Sequence, residues 1–334
     1  MARAILMPSS PDQRHDGRGG FADENRPSPL GTTAPHGYGR RAAASEVLLT
    51  NWRRDTADGW VVSARWPSAH GFYGSGDGPH DRPHEPLLLI ETMRQAGILL
   101  SHLAHRVPLD HPITWQRIRY DLVPRALSAA GAPTEVELHV TDHEVIRRGK
   151  RLLSARQEFR VRRDGADLAT ATLDYACHSP SVYRRLRGWY SERTPADARG
   201  LPLLVPVAPQ LVGRDRERDV VLSPTDRAGH WRLRVDTSHP VLFDQPVDHA
   251  PGMLMIEAAR QAAQAATPGV TLPIAMECDF DRYAELDAPC WVRARTAPEP
   301  AEAGAGDGRV LVDVAVEQHG KPVLAALITS LPIP

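Results

Sequence analysis

Cysteine is scarce: Cys177, Cys278 and Cys290 are the only three in 334 residues, and no two form a C-x-x-C pair. That excludes a disulfide scaffold and the common structural zinc sites, and it fits free thiols in a reducing cytosol. Lysine is nearly absent. Lys150 and Lys321 stand alone among 40 basic residues, and arginine supplies the rest. GC-rich coding is the simplest reason, and the guanidinium's fit to carboxylate and phosphate a secondary one. An excess of either charge is also missing, with a formal net charge of −1. Nucleic acid is therefore not expected as a partner, because phosphate binding is advertised by a basic surplus. No apolar run approaches the roughly 20 residues that a spanning helix needs. The first residues, MARAILMPSS, turn polar too soon for a signal peptide. A cytoplasmic chain without a membrane partner is expected.

What is present is enough apolar sequence, 42% of the residues, to build cores for two domains of ordinary size. Residues 1–44, rich in Gly, Pro, Arg and Asp, read as a disordered tail. Beyond them the chain repeats itself. Glu85-Pro86-Leu87-Leu88-Leu89-Ile90-Glu91-Thr92-Met93-Arg94-Gln95-Ala96 parallels Pro251-Gly252-Met253-Leu254-Met255-Ile256-Glu257-Ala258-Ala259-Arg260-Gln261-Ala262. Each copy has apolar residues and then E-x-x-R-Q-A. The spacing is far too long for a solenoid and marks a duplicated domain.

The surroundings repeat as well. Strand-like runs precede each copy (Glu46–Trp52 and Trp60–Trp66; Asp219–Leu222 and Trp231–Val235), followed by a loop with His70 or His239. Alternating runs follow each copy: Ile113–Leu122, Thr134–Val145, Leu152–Val161 and Leu168–Cys177; then Leu272–Phe280, Cys290–Thr296, Val310–Val316 and Val323–Thr329. Period-two alternation predicts antiparallel strands. The segments from Pro86 to about His105 and from Pro251 to about Ala266 are apolar on most faces. They predict buried helices, each wrapped by its sheet. The expected division is 45–180, a linker or external lid over 181–216 with several prolines, and 217–334.

These stretches resemble the A-factor biosynthesis (AfsA) hotdog family. The resemblance is carried by Asp248 to Ala262, by His84 to Leu88 with Glu91 to Gly97, and by Tyr283 to Asp287 and Ser179 to Arg187. It implies an α+β tandem (double) hotdog, each repeat a long central helix wrapped by an antiparallel β-sheet. The two repeats would pack as a pseudo-dimer, with further oligomers open. It also implies an acyltransferase that condenses a β-ketoacyl thioester with dihydroxyacetone phosphate, leading to γ-butyrolactone signals. Relatives direct the same condensation toward furan carboxylic acids or butenolides. By the same resemblance Glu91, Glu257 and Arg260 are the functional positions, and the acyl group arrives on the pantetheine of an acyl carrier protein or CoA, with no other cofactor and no metal.

Acyl transfer from sulfur to oxygen needs a base, donors for an oxyanion and a cationic cradle for phosphate. Glu257 is the expected base and Arg260 the anchor; Glu91 is a second site or shapes the interface. Arg94 and Gln95 share a helix face with Glu91, and Arg260 and Gln261 with Glu257. Arg94, Gln95 and Gln261 are thus candidate substrate ligands. Burial is expected to raise the glutamate pKa values. Gly252 and Met253 at the helix start offer backbone N–H groups to the thioester carbonyl. His70, His239 and His249 are candidate acid, base or ligand groups, though loop histidines are more often structural. The slot where hotdog dehydratases carry histidine holds Phe243 in the second copy and falls near Asp77 in the first, which argues against dehydration. His84 and Asp81 have no assigned role. The three cysteines and the pair Met253 and Met255 read as core. Arg184, Arg185 and Arg187 read as a solvated linker face or an acyl-carrier docking patch. The rivals are a hotdog thioesterase or dehydratase, and a non-catalytic acyl-binding regulator.

Overall fold

A computed structural model describes residues 43–56, 59–74, 83–127, 132–192, 201–244, 247–297 and 308–333. The expected tail, apart from its last two residues, lies outside the described residues, as do Asp77 and Asp81.

The first repeat contributes β1 (Leu49–Arg54), β2 (Gly59–Trp66), helix α1 (Pro86–Leu103), β3 (Ile113–Leu122), β4 (Thr134–Arg148), β5 (Arg151–Arg163) and β6 (Ala166–Cys177). A short helix α2 (Pro180–Arg187) follows. The second repeat contributes β7 (Leu222–Pro224), β8 (His230–Leu233), helix α3 (Gly252–Ala265), β9 (Thr271–Phe280), β10 (Cys290–Ala297), β11 (Val310–Gln318) and β12 (Lys321–Pro332). All twelve strands form one sheet in the order β1-β2-β4-β5-β6-β3-β9-β12-β11-β10-β8-β7. Read inward from either edge, the two halves have the same connectivity. They join through antiparallel β3 and β9, in register from Arg117↔Asp279 to Asp121↔Ala275. This is the tandem hotdog predicted above, with the pseudo-two-fold at the β3–β9 seam.

Alternation sets which face is buried. In β11, Val312, Val314 and Val316 are buried while Asp313 is exposed, as a strand with one wet face requires. The helices fill the inner face. Leu89, Ile90, Leu99 and Leu100 of α1 are fully buried, as are Ile256, Ala258, Ala259 and Ala262 of α3. Each buried Leu or Ile contributes about 1.5–3 kcal/mol. Pro86 opens α1 at its first turn, where a missing N–H costs no hydrogen bond. Only the first strand of each repeat departs clearly from expectation. Glu46 and Asp219 sit in 3-10 turns before β1 and β7, because their carbonyls are taken by helix glutamines.

Candidate functional site

The shared E-x-x-R-Q pattern builds the same local device in both helices. One turn places the arginine and glutamine beside the glutamate. Arg94 donates from Nε to Glu91 Oε2 and from Nη2 to Oε1, both at 2.9 Å. Arg260 does so to Glu257 at 2.8 and 2.9 Å. Gln95 Nε2 donates to Glu91 Oε1 at 2.6 Å and to the Glu46 carbonyl at 2.7 Å, and its Oε1 accepts from Leu48 N–H at 2.9 Å. Gln261 repeats this with Glu257 Oε1 (2.5 Å), the Asp219 carbonyl (2.8 Å) and Val221 N–H (2.9 Å). Both glutamines are fully buried. Their bonds make them braces between the helix and the segment entering the sheet.

The histidine loops repeat the symmetry. His70 Nε2 meets Glu46 Oε1 at 3.1 Å while its Nδ1 accepts from the N–H groups of Phe72 and Tyr73 at 3.0 Å. His239 Nε2 meets Asp219 Oδ1 at 3.1 Å, and its Nδ1 accepts from Val241 and Leu242 at 3.2 and 3.0 Å. Both nitrogens of each ring are engaged within the loop, so His239 has a structural task there. Phe243 closes the same turn through its N–H to the His239 carbonyl at 3.0 Å.

Glu257 gains what the sequence reading missed, a second arginine. Gly213 has a φ of +64°, and a Cβ there would lie 3.4 Å from Arg260 Nη1. The left-handed turn that glycine permits delivers Arg214 into the core. Arg214 Nε donates to Glu257 Oε1 at 2.7 Å, its Nη1 donates to the Phe72 carbonyl at 2.8 Å, and its guanidinium lies 4.2 Å over the Phe72 ring. Glu85, at the cap of α1, approaches from the first repeat. One oxygen lies 3.9 Å from Arg214 Nη1 and the other 3.9 Å from Arg260 Nε. Tyr120 of β3 stands close enough to feel the charges of both Glu85 and Arg260. The Glu257 centre is therefore built across the seam, from both repeats and from the segment read as a linker.

The electrostatics reverse one expectation. Burial does push the Glu257 carboxyl up, but the Arg214 and Arg260 guanidiniums overcome that push and hold it at about 2. Burial also works against the charge on Arg260, and Glu257 and Glu85 more than restore it. Glu257 is thus an ionised carboxylate at neutral pH, not one raised toward neutrality. A buried ion cluster of this kind adds little stability over an apolar core, so its presence points to chemistry.

Other expected residues lie elsewhere. Gly252 packs under Trp115 of the first repeat, where a Cβ would come within 2.8 Å of the indole. Close packing of the seam thus demands glycine there, and Met253 beside it is buried. His249 belongs to a separate cluster. Its Nδ1 meets Asp248 Oδ1 at 2.7 Å, and its ring packs edge-on against Tyr283. Arg187 enters that cluster, donating to Glu285 at 2.6 and 2.7 Å and to Asp248 at 3.0 Å. Its side chain is buried, which overturns both surface readings for Arg187; Arg184 and Arg185 are exposed. Cys177, Cys278 and Cys290 are buried, and burial pushes the Cys278 and Cys290 thiols up, Cys290 to about 12. His84, between Trp66 and Thr134, is held down at about 4 by burial and by Arg163. Among the described residues no helix is long and apolar enough to cross a membrane.

Comparison with known proteins agrees with this architecture. The family model of the A-factor biosynthesis hotdog domain matches residues 22–179 and 196–334. A curated 2-oxo-3-(phosphooxy)propyl 3-oxoalkanoate synthase from Streptomyces virginiae is 42% identical over 299 residues, covering 89% of this chain and 97% of the relative. The protein of the same name from Streptomyces coelicolor is 36% identical over 309 residues, 92% and 95% of the two chains. Among solved structures, an oleoyl thioesterase from Lactobacillus plantarum superposes with a TM-score of 0.50 at 13% identity, over 84% of this chain and 98% of that one; this likeness speaks to the fold alone. The chain belongs to the A-factor biosynthesis hotdog family.

Proposed function

We propose that this protein transfers a 3-oxoacyl group from a thioester to a hydroxyl of dihydroxyacetone phosphate, giving a 2-oxo-3-(phosphooxy)propyl 3-oxoalkanoate. The reading is carried by 42% identity, across 97% of its length, to a synthase named for that product. The seam chemistry supports it. Glu257 is ionised and can accept the acceptor hydroxyl's proton, while Arg260 supplies a buried cation for a phosphate. A phosphate that draws Arg260 toward itself loosens its grip on Glu257 and raises that carboxylate's proton affinity, so the base strengthens when the acceptor is in place.

The step balances without a redox or metal partner. The acceptor oxygen bonds to the acyl carbon, the carbon–sulfur bond breaks, and the proton taken by Glu257 passes to the leaving thiolate. In this reading the acyl group arrives on the pantetheine of an acyl carrier protein or CoA with no further cofactor, and its transfer is the committed step toward a γ-butyrolactone-type signal. Glu91, with the same Arg and Gln bonds, shapes the matching half of the pseudo-dimer or serves as a second centre.

Thiol release from a 3-oxoacyl thioester, followed with and without dihydroxyacetone phosphate, tests the proposal. Release that depends on the triose phosphate supports it; equal release without it means a thioesterase. Arg184→Glu with Arg185→Glu tests the carrier. A KM raised for acyl carrier protein substrates and not for CoA substrates identifies the exposed α2 face as the carrier's dock.

A further inference from the structure

Buried polar groups in folded proteins are almost always paired, because an unpaired one forfeits its hydration without return. Two donors at the Glu257 seam break that rule. The Tyr120 hydroxyl and Arg214 Nη2 are both buried and have no hydrogen-bond partner among the described residues. They come from different parts of the chain, Tyr120 from β3 of the first repeat and Arg214 from the turn before the second. Glu85 acts on both: Arg214 Nη1 lies 3.9 Å from its Oε2, and its charge is the strongest felt by the Tyr120 hydroxyl, on a strand that forms the seam itself through Tyr120↔Met276. Glu85 and Glu257 do not satisfy them.

We propose that Tyr120 is a catalytic residue of the Glu257 centre, its hydroxyl donating, together with Arg214 Nη2, to the oxygen of the thioester carbonyl as that oxygen becomes an oxyanion. The assignment rests on the acyl-transfer reading above and names the missing electrophilic half of it. In the step, the acceptor oxygen adds to the carbonyl carbon and the electron pair of the C=O bond moves to oxygen. Tyr120 and Arg214 hold that O⁻ without giving up their protons, and the pair returns as the thiolate leaves. Burial, with Glu85 nearby, keeps the Tyr120 phenol protonated well above its ordinary range, so it stays a donor throughout. An oxyanion that accepts from both would complete two groups that the resting fold leaves unpaired, and such preorganised donors act most strongly at the transition state.

The location also distinguishes the two halves of the pseudo-dimer. Six residues before Glu257 stands Pro251, and six before Glu91 stands Glu85. The carboxylate that Glu85 brings to the Glu257 seam thus has no counterpart from the equivalent position at the Glu91 seam.

Tyr120→Phe is the test, since it removes one oxygen and leaves the packing ring. Purified wild type and variant are compared for ester formation, for slow thiol release into water, and for melting temperature. The expected result is a kcat for ester formation about 10²–10³-fold lower, an unchanged KM for dihydroxyacetone phosphate, and a melting temperature no lower than wild type. Thiol release into water should slow alongside, because the same oxyanion forms. An unchanged kcat, or a loss of stability that accounts for the lost rate, overturns the assignment. If wild type releases thiol but makes no ester, the acceptor reading fails separately; slower release by Tyr120→Phe would then still uphold the oxyanion role.

Discussion

Replacing Glu257 with glutamine probes the seam most informatively, because the structure predicts both its size and its pH dependence. Held at about 2 against an ordinary 4.5, the carboxylate contributes about 3 kcal/mol of stability at neutral pH, at 1.36 kcal/mol per tenfold. Its folded-state pKa is depressed, so that contribution is complete above the unfolded value and is lost as pH falls through 4.5 toward 2. In Glu257→Gln, Arg214 and Arg260 stay buried without their counterion, a loss of about 3–5 kcal/mol at pH 7. Lowering the pH erodes the wild type's advantage while leaving the amide unaffected. The stability gap should therefore shrink by about 2 kcal/mol between pH 7 and pH 3. Urea unfolding followed by tryptophan fluorescence, at a series of pH values, reads this directly. Carboxylates remote from the two arginines titrate alike in both proteins and cancel in the difference, so the comparison is made in a Glu85→Gln background, which removes the one carboxylate that shares them. A gap that stays constant down to pH 3 would refute the claim that Glu257 is the ionised hub of the seam.

Further outcomes follow from the same geometry. Gly252→Ala should lower the melting temperature, because a Cβ within 2.8 Å of Trp115 overpacks the seam by about 1–3 kcal/mol; pairing it with Trp115→Leu should recover part of the loss. Gln261→Leu should cost about 1–3 kcal/mol by stranding the Asp219 carbonyl and the Val221 N–H, and should also lower kcat, since the segment it braces carries Arg214. Arg187→Met should destabilise by about 3–5 kcal/mol, because it leaves Asp248 and Glu285 without their buried partner; equilibrium unfolding checks it.

Much of the fold was legible because duplication and alternation are properties of contiguous sequence. Two copies of E-x-x-R-Q gave the helices, and the period-two runs after each helix gave eight strands with ends close to those observed, whereas the first strand of each repeat begins about three residues later than read. The glutamate–arginine pairs were legible for the same reason, lying one helical turn apart. The rest of the centre was hidden because it is assembled across the seam. Arg214 reaches Glu257 from 43 residues away and Phe72 from 142, in a proline-rich stretch that looks like a tether. Tyr120 and Glu85 come from the other repeat, and pattern within one repeat says nothing about what faces it. The pKa reading failed for a related reason. Burial of Glu257 could be read from its apolar neighbours, whereas the arginine that outweighs burial could not. Gly213 was the available clue: a glycine immediately before an arginine, just ahead of the repeated Glu46/Asp219 turn.

The central claim is that this seam joins a 3-oxoacyl group to a phosphorylated hydroxy ketone. Mass spectrometry of the products from purified protein, a 3-oxoacyl thioester and dihydroxyacetone phosphate tests it most directly. The account predicts the phosphorylated ester, formed only when both substrates are present and lost in Glu257→Gln. Free 3-oxo acid as the sole product, in equal yield with or without the triose phosphate, would contradict it.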